Sequence, residues 1–195
     1  MKKAFSFIAL CAMLFCLAGC GGKPETAIDG TPWNKDWHTI DRTLGIEKLG
    51  HGLTLREEKS SKDLFNNCWS IGGAQTYVNA TGASTTVYDA QLTLLLASHG
   101  SEDAARMNVD NWLALADATY TVDDIVTQTY NEQEYIVMTY VFPPDTSAYE
   151  RGASAFTTFN GSAISVEFVC QSSFAEDAGE VLADVLAHCH YAAED

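Results

Sequence analysis

His188, Cys189 and His190 are residue types that commonly bind transition metals, and they follow one another directly in the sequence. Successive side chains on a helix diverge by about 100°, so these three cannot converge on one ion while the helix continues. A tetrahedral site needs three or four ligands, and the other histidines form no recognisable second half of one. The sequence favours solvent-facing histidines at a helix end, and we expect neither a metal site nor a cofactor.

Carboxylates and hydroxyls are the other groups that could do chemistry. The chain has 26 acidic residues, but none of them forms a D-x-[DN]-x-[DN]-G calcium loop. The motifs G-x-S-x-G, S-x-x-K and H-E-x-x-H are absent, and the pair Gly72-Gly73 lacks the lysine and the spacing of a phosphate-binding loop. Because triads can also assemble from scattered residues, the absence of motifs argues against an enzyme without excluding one. We expect a protein that is not an enzyme and has no catalytic residues.

The N-terminus has the pattern of a secretory leader. Lys2 and Lys3 precede a segment, residues 4–18, in which only Ser6 is not apolar. A helix of that length spans roughly 22 Å, which is short of the ~30 Å hydrocarbon core, so a permanent membrane span is disfavoured.

The leader ends in Leu17-Ala18-Gly19-Cys20, which resembles the lipobox of bacterial lipoproteins. The resemblance implies cleavage before Cys20 and a diacylglyceryl group on its thiol, so residues 1–19 are expected to be a lipoprotein signal peptide. Residues 20–32 are polar, contain Gly and Pro, and are predicted to form the lipidated N-terminus and a flexible tether. We therefore expect an extracytoplasmic protein held at the bacterial membrane by its acyl chains, either on the cell surface or facing a periplasm.

Three cysteines remain after the leader and Cys20: Cys68, Cys170 and Cys189. Cys170 lies on the apolar side of a predicted strand, and Cys189 lies on the apolar side of the last predicted helix. In an oxidising compartment these two are candidates for a disulfide, which would leave Cys68 as a buried thiol. Closing that loop would stabilise the fold by about 3 kcal/mol in the chain-entropy model.

Residues 33–195 are predicted to form one domain. Ser101 is a candidate N-cap for an amphipathic helix that ends near Ala118, and Ser173–Glu176 has the pattern of a capping box before a second helix. Asn160-Gly161 predicts a two-residue hairpin turn. Strand-like alternation covers six further segments: 52–58, 68–80, 86–97, 119–130, 134–142 and 152–170, the last of them broken by the turn at 160–161.

This order of elements indicates an α+β domain, in which an antiparallel sheet is covered by two main helices. The order resembles the PsbP-like fold, which is shared by a photosystem II extrinsic subunit, a Ran-binding import factor and several small bacterial lipoproteins. The closing residues 186–191 are similar to the ends of small gut-bacterial lipoproteins of unknown role. The resemblance implies a fold and carries over no catalytic motif.

The distribution of charge restricts the partners. Residues 64–195 contain only Arg106 and Arg151 as basic residues, against 18 carboxylates, whereas residues 20–63 are almost neutral. Such a surface repels nucleic acid and anionic polymers and can attract a cationic ligand or a basic protein face. Candidate ligand or partner contacts are Trp33, Trp37, Trp69, Tyr149 and Arg151.

The sequence predicts a membrane-anchored binding or accessory module at the cell envelope, with an envelope protein or a cationic ligand as partner. The alternative is a solute-capturing lipoprotein with a pocket for a small molecule or a cationic peptide. An envelope enzyme is the third hypothesis, and it would require carboxyl, His or Ser side chains that meet inside a cleft. The sequence does not define the oligomeric state.

Overall fold

The computed structural model describes residue 46 and residues 49–60 and 64–189, with no description of the side chains of residues 58–60. Cys20, Trp33, Trp37 and His190 lie outside these residues. The described elements are β1 (Thr54–Ser60), β2 (Leu64–Ile71), β3 (Gln75–Val78), β4 (Ser84–Val87), β5 (Ala90–Ser98), α1 (Glu102–Thr119), β6 (Thr121–Tyr130), β7 (Gln133–Val141), β8 (Arg151–Phe159), β9 (Ser162–Cys170) and α2 (Ala178–His188). The predicted α+β class is confirmed.

Seven of these strands form one antiparallel sheet in the order β1-β2-β5-β9-β8-β7-β6. Two tight hairpins build its second half. Asn160 and Gly161 form the predicted two-residue turn between β8 and β9, with φ values of 47° and 74° as a type I′ turn requires. Asn131 and Glu132 have φ values of 46° and 67° and close β6 onto β7 in the same way.

Two predicted strands are each divided in the structure. The segment 68–80 contains the end of β2 and all of β3, and the segment 86–97 contains the end of β4 and most of β5. The first break is at Gly72, where φ is 85° and an added Cβ would collide with the carboxyl group of Asp89, so glycine is strongly favoured. The strands β3 and β4 pair with each other as a separate two-stranded sheet, which we call the ribbon.

The sheet has a hydrophobic core on each face. Helix α2 buries Val181, Leu182 and Val185 in a cluster with the β5 and β9 residues Leu92 and Phe168. On the other face, α1 buries an apolar stripe, and the ribbon residues Val87 and Tyr77 pack in that same cluster. The ribbon therefore shares the α1 side of the sheet.

The helix caps agree with the sequence at α1 and differ at α2. Ser101 Oγ accepts a hydrogen bond from the backbone N–H of Ala104, 3.3 Å away, as predicted. Helix α2 does not begin at the predicted capping box, because its N-cap is Asp177, which accepts from the N–H groups of residues 179 and 180. The preceding segment is held out of the helix by Arg151, whose Nη2 donates to the carbonyl oxygens of Phe174 and Glu176 at 2.6 and 3.2 Å.

Neither helix of the described chain combines the length and the apolar character needed to cross a bilayer.

Candidate functional site

A cavity of about 310 Å³ lies between the ribbon and the α1 side of the main sheet. The ribbon provides Tyr77 and Val87 as one wall, and the segment between β7 and β8 provides Phe142 and Tyr149 as another. The sheet forms the floor with Gln91 of β5 and with Glu167 and Val169 of β9. The volume is at the lower end of the range usual for small-molecule sites.

Glu167 is the chemically unusual group of this cavity. It lies in the central strand β9, directly opposite Thr93 of β5 and Ser154 of β8, and its side chain is only partly accessible. Burial raises the pKa of Glu167 to about 7, although hydrogen bonds from Tyr140 and Ser154 act in the opposite direction. At neutral pH the carboxyl group is therefore close to its midpoint of ionisation.

Tyr140 reaches Glu167 across a glycine. Tyr140 of β7 pairs with Gly152 of β8, and its hydroxyl donates to Glu167 Oε1 on the following strand at 2.6 Å. A Cβ at residue 152 would lie 2.6 Å from Tyr140 Cζ, so the ring occupies the space that a side chain would fill. The Tyr140 hydroxyl lies 3.2 Å from Ser154 Oγ, which donates to Glu167 Oε1 at 3.5 Å. Side chains of β7 and β8 thus hold the carboxyl group of Glu167 in place.

An aromatic cluster fixes the Tyr140 ring from its other side. Tyr120, which follows α1, stacks on Tyr140 at 4.3 Å between ring centroids with an interplanar angle of 11°. Phe142 packs edge-on against both rings, at 4.9 and 5.6 Å. Burial, and after it the charge of Glu167, raises the pKa of Tyr140 well above its ordinary value, so its hydroxyl stays protonated and serves as a donor.

A second polar group stands beside Glu167 on the floor. Tyr149 donates its hydroxyl to Gln91 Oε1 at 3.1 Å and accepts a hydrogen bond from the backbone N–H of Tyr88 at 3.4 Å. Gln91 Nε2 lies 3.5 Å from Thr93 Oγ1. Burial raises the pKa of Tyr149 to about 12, so this phenol is neutral at physiological pH. Gln91 and Tyr149 thus bring polar groups to the same cavity.

Glu167 also borders a second, smaller cavity of about 50 Å³ beneath α1. Trp112, Leu115 and Ala116 of the helix and Phe156 of β8 make this space almost entirely apolar. Glu167 is the only charged residue among the described side chains that line either cavity. Any ligand in the larger cavity therefore meets one acidic group and no basic group from the described residues.

The predicted contact residues lie in different parts of the structure. Tyr149 lines the cavity. Trp69 is 1% exposed and belongs to the core beneath α2, so its ring does not lie on the described surface. Arg151 donates hydrogen bonds to Cys170 Sγ and to the carbonyl oxygens of Phe174 and Glu176 before α2. Trp33 and Trp37 lie outside the described residues.

Three cysteines lie among the described residues, and Cys68, Cys170 and Cys189 are all thiols in this structure. Cys170 and Cys189 are both buried in the cluster beneath α2, as the predicted pairing requires, but no disulfide joins them. Cys170 Sγ instead accepts a hydrogen bond from Arg151 Nε at 3.3 Å. Burial raises the pKa of the Cys170 thiol, and Arg151 only partly offsets this effect. The pairing stays a prediction for the oxidised protein.

The histidines do not form a metal centre in the described part of the chain. His188 is exposed and its Nδ1 lies 2.8 Å from the carbonyl oxygen of Asp184, whereas Cys189 is buried, so the two neighbours diverge. His51 bridges two carboxylates, with Nδ1 2.6 Å from Glu176 Oε2 and Nε2 3.0 Å from Asp184 Oδ2. Among the residues described, no three His, Cys, Asp or Glu side chains are grouped so as to hold an ion.

Sequence reasoning missed Glu167, although one signal could have identified it. Residues 162–170 contain a single charged residue in a segment of nine, and the alternation places it on the face opposite Ile164 and Phe168. Since helices are predicted to cover the sheet, a lone carboxyl group in such a strand must be buried or face a cavity. Gln91 and Tyr140 gave no such signal, because polar residues on strands are ordinarily solvent-facing.

Comparison with known proteins gives only distant similarity. No family model matches the sequence, and no curated protein matches it. Among solved structures, cyanobacterial PsbP (CyanoP) from Synechocystis sp. PCC 6803 is 12% identical, with 80% of this chain and 88% of that chain covered and a TM-score of 0.33. The extracellular domain of PknH from Mycobacterium tuberculosis is 15% identical, with 90% of this chain and 88% of that chain covered and a TM-score of 0.37. Similarity of this degree does not extend to a ligand, a partner or an activity.

Proposed function

We propose that this protein is a lipid-anchored extracytoplasmic binding protein that captures a small molecule in the cavity between the ribbon and the sheet. The observation that carries the proposal is the convergence of Glu167, Gln91 and Tyr149 on one apolar-walled space of about 310 Å³. A few polar groups among apolar walls are typical of sites that orient a ligand. Phe142 and Val169 supply the apolar contacts.

Solute capture accounts for the described surface better than docking of an apolar partner face. An apolar partner-binding patch would require several large apolar side chains exposed side by side. The large apolar residues exposed on the described surface, Val78, Met107, Ile125 and Val141, belong to four different elements. Trp69, one of the aromatic candidates for such a patch, lies in the core.

The anchor is proposed from the sequence. Cys20 follows an apolar segment and small residues, as in a lipobox, and the acidic body lies beyond a short polar tether. Intact-mass spectrometry of the protein from bacterial membranes should find the leader removed and a diacylglyceryl mass added. The variant Cys20→Ser should lack that mass and leave the membrane fraction. A retained start methionine, or a processed N-terminus without fatty acid, would contradict this part of the proposal.

An enzyme is the second candidate, and one observation favours it. Glu167, Tyr140 and Ser154 meet within hydrogen-bonding distance at a cleft, and a pKa of about 7 suits a general acid or base. However, Tyr140 and Ser154 do not line the larger cavity, and no described hydroxyl group that does line it is hydrogen-bonded to Glu167. Recovery of a chemically altered compound, with Glu167→Gln binding the unaltered one, would favour the enzyme.

Capture is tested by filling the cavity. Purified protein is incubated with a metabolite extract, passed through an ultrafiltration membrane, and the retained compounds are identified by mass spectrometry. Ala83→Trp places a large side chain at the cavity wall, and Met107→Trp places the same side chain on the exposed face of α1 as a control. We expect the wild type and Met107→Trp to retain a saturable compound that Ala83→Trp does not. Equal retention by all three proteins, or none by any, would overturn the proposal.

A further inference from the structure

We infer that the cavity selects an organic amine, a molecule whose protonated ammonium group contacts Glu167 and Gln91 while its apolar body packs on Phe142 and Val169. The inference rests on the proposed function, because it names the chemical class of ligand for the same cavity. Three features of the site support it: its charge, the oxygens that can accept further hydrogen bonds, and the protonation equilibrium of Glu167.

The charge of the site favours a cation. Glu167 is the only charged side chain among the described residues that line the cavity. At longer range, residues 64–195 contain 18 carboxylates and two basic residues, so an anionic ligand is repelled before it enters. A divalent metal would require more than the single carboxylate that the cavity supplies. A monovalent organic cation is the charged ligand that these residues suit.

Two oxygens on the floor of the cavity can each accept a further hydrogen bond. Oε1 of Glu167 accepts from Tyr140 and Ser154, whereas Oε2 makes no hydrogen bond to the described part of the chain. Gln91 Oε1 accepts from Tyr149 and retains a second lone pair. An ammonium group has up to three N–H donors and no acceptor, which suits two oxygens that can each accept from a donor. A carboxylate ligand would bring further acceptors to the same place.

The protonation of Glu167 predicts that binding of the ligand depends on pH. With a pKa of about 7, the ionised fraction of Glu167 rises about tenfold between pH 6 and pH 8. An ammonium group binds the ionised form, so affinity should rise with pH across this interval and level off above it. Burial keeps the hydroxyls of Tyr140 and Tyr149 protonated in this range. The other titratable side chains on the elements around Glu167 are Tyr77 of the ribbon, Tyr120 after α1 and, across Thr93, Cys68 of β2.

The test compares ligands of one shape and three charges. The protein is incubated with an equimolar mixture of 2-phenylethylamine, 2-phenylethanol and phenylacetate and of longer-chain members of the same three series. Compounds retained after ultrafiltration are quantified at pH 6 and at pH 8. Glu167→Gln removes the charge without changing the shape, and Asp110→Asn removes one charge from the exposed face of α1 as a control.

We expect the wild type and Asp110→Asn to retain amines at least tenfold over the matched alcohols and acids, with about tenfold tighter binding at pH 8 than at pH 6. Glu167→Gln should lose this preference and its pH dependence. Preferential retention of alcohols or acids would overturn the inference and leave small-molecule capture intact. Retention of no compound from this mixture or from a metabolite extract would contradict both. Amine retention that Glu167→Gln does not change would overturn the role of Glu167 and hence the inference.

Discussion

Gly152→Ala is the substitution that most directly tests how the fold positions Glu167. The added methyl carbon would lie 2.6 Å from Tyr140 Cζ, 2.7 Å from its hydroxyl oxygen and 2.8 Å from Cε2. Three contacts this short force the ring to move. It cannot retreat directly, because Tyr120 stacks on it at 4.3 Å and Phe142 packs edge-on at 5.6 Å. The Tyr140 hydroxyl should therefore leave Glu167.

Three effects contribute to the change in the free energy of unfolding. Overpacking a buried ring costs about 1–3 kcal/mol. Loss of a hydrogen bond to a carboxyl group costs about 1.5–3 kcal/mol. Alanine in place of glycine stiffens the unfolded chain and offsets about 0.4–1 kcal/mol. We expect a net loss of about 3 kcal/mol, which corresponds to a fall of about 6–12 °C in Tm for a domain of this size.

Thermal and urea unfolding measure this loss, and Gly73→Ala is the matched control because nothing lies within 4 Å of its added Cβ. A second readout is the pKa of Glu167, followed by carbon NMR of its carboxyl group. Since the hydrogen bond from Tyr140 lowers that pKa, Gly152→Ala should raise it above about 7. Unfolding of Gly152→Ala and Gly73→Ala at the same temperature, with the pKa of Glu167 unchanged, would refute the reasoning.

Four further perturbations follow from the same contacts. Burial alone would lower the pKa of His51, but two carboxylates raise it above 6.5. In urea unfolding, the wild type should therefore be more stable than His51→Gln at pH 5.5 and should lose that advantage by pH 8.5. The pKa of Glu167 is raised from 4.5 to about 7 in the folded state, so ionisation of this group opposes folding as pH rises through that window. The stability of Glu167→Gln relative to the wild type should therefore increase by about 3 kcal/mol between pH 4.5 and pH 8. Asn131 Nδ2 donates to two carbonyl oxygens at the end of α2, so Asn131→Gly, which keeps the positive φ of the turn, should lower stability by about 1 kcal/mol in thermal unfolding. Non-reducing peptide mapping of the oxidised protein should find Cys170 bonded to Cys189, and a bridge that contains Cys68 would contradict the pairing.

Local sequence patterns predicted most of the fold because caps and turns depend on interactions between residues that are close in the sequence. Ser101 caps α1, and Asn160-Gly161 closes β8 onto β9, since each depends on backbone geometry within a few residues. The start of α2 was placed too early because Arg151, more than twenty residues away in the sequence, binds the carbonyl groups of the segment before it. The division of two predicted strands depended on the close approach of Gly72 to Asp89, which alternation does not encode.

The site was less predictable because its members come from separated strands. Tyr149 was among the predicted contact residues and does line the cavity, but its partner Gln91 lies 58 residues earlier. Glu167 meets Tyr140 only because β7, β8 and β9 are neighbours and Gly152 leaves room between them. The order of strands in the sheet, which the sequence did not provide, determines these contacts.

The floor of the cavity and its ribbon wall differ in how their strands are paired. Glu167 and Gln91 belong to strands that are paired on both sides within the seven-stranded sheet. The opposite wall, the ribbon, pairs only with itself, and an isolated two-stranded sheet is marginally stable in water. Its packing of Val87 and Tyr77 on the sheet therefore supplies much of its stability, and opening it exposes few apolar contacts compared with unfolding the core. Displacement of the ribbon would therefore leave the carboxyl group of Glu167 in place, because its strand pairs with a neighbour on each side.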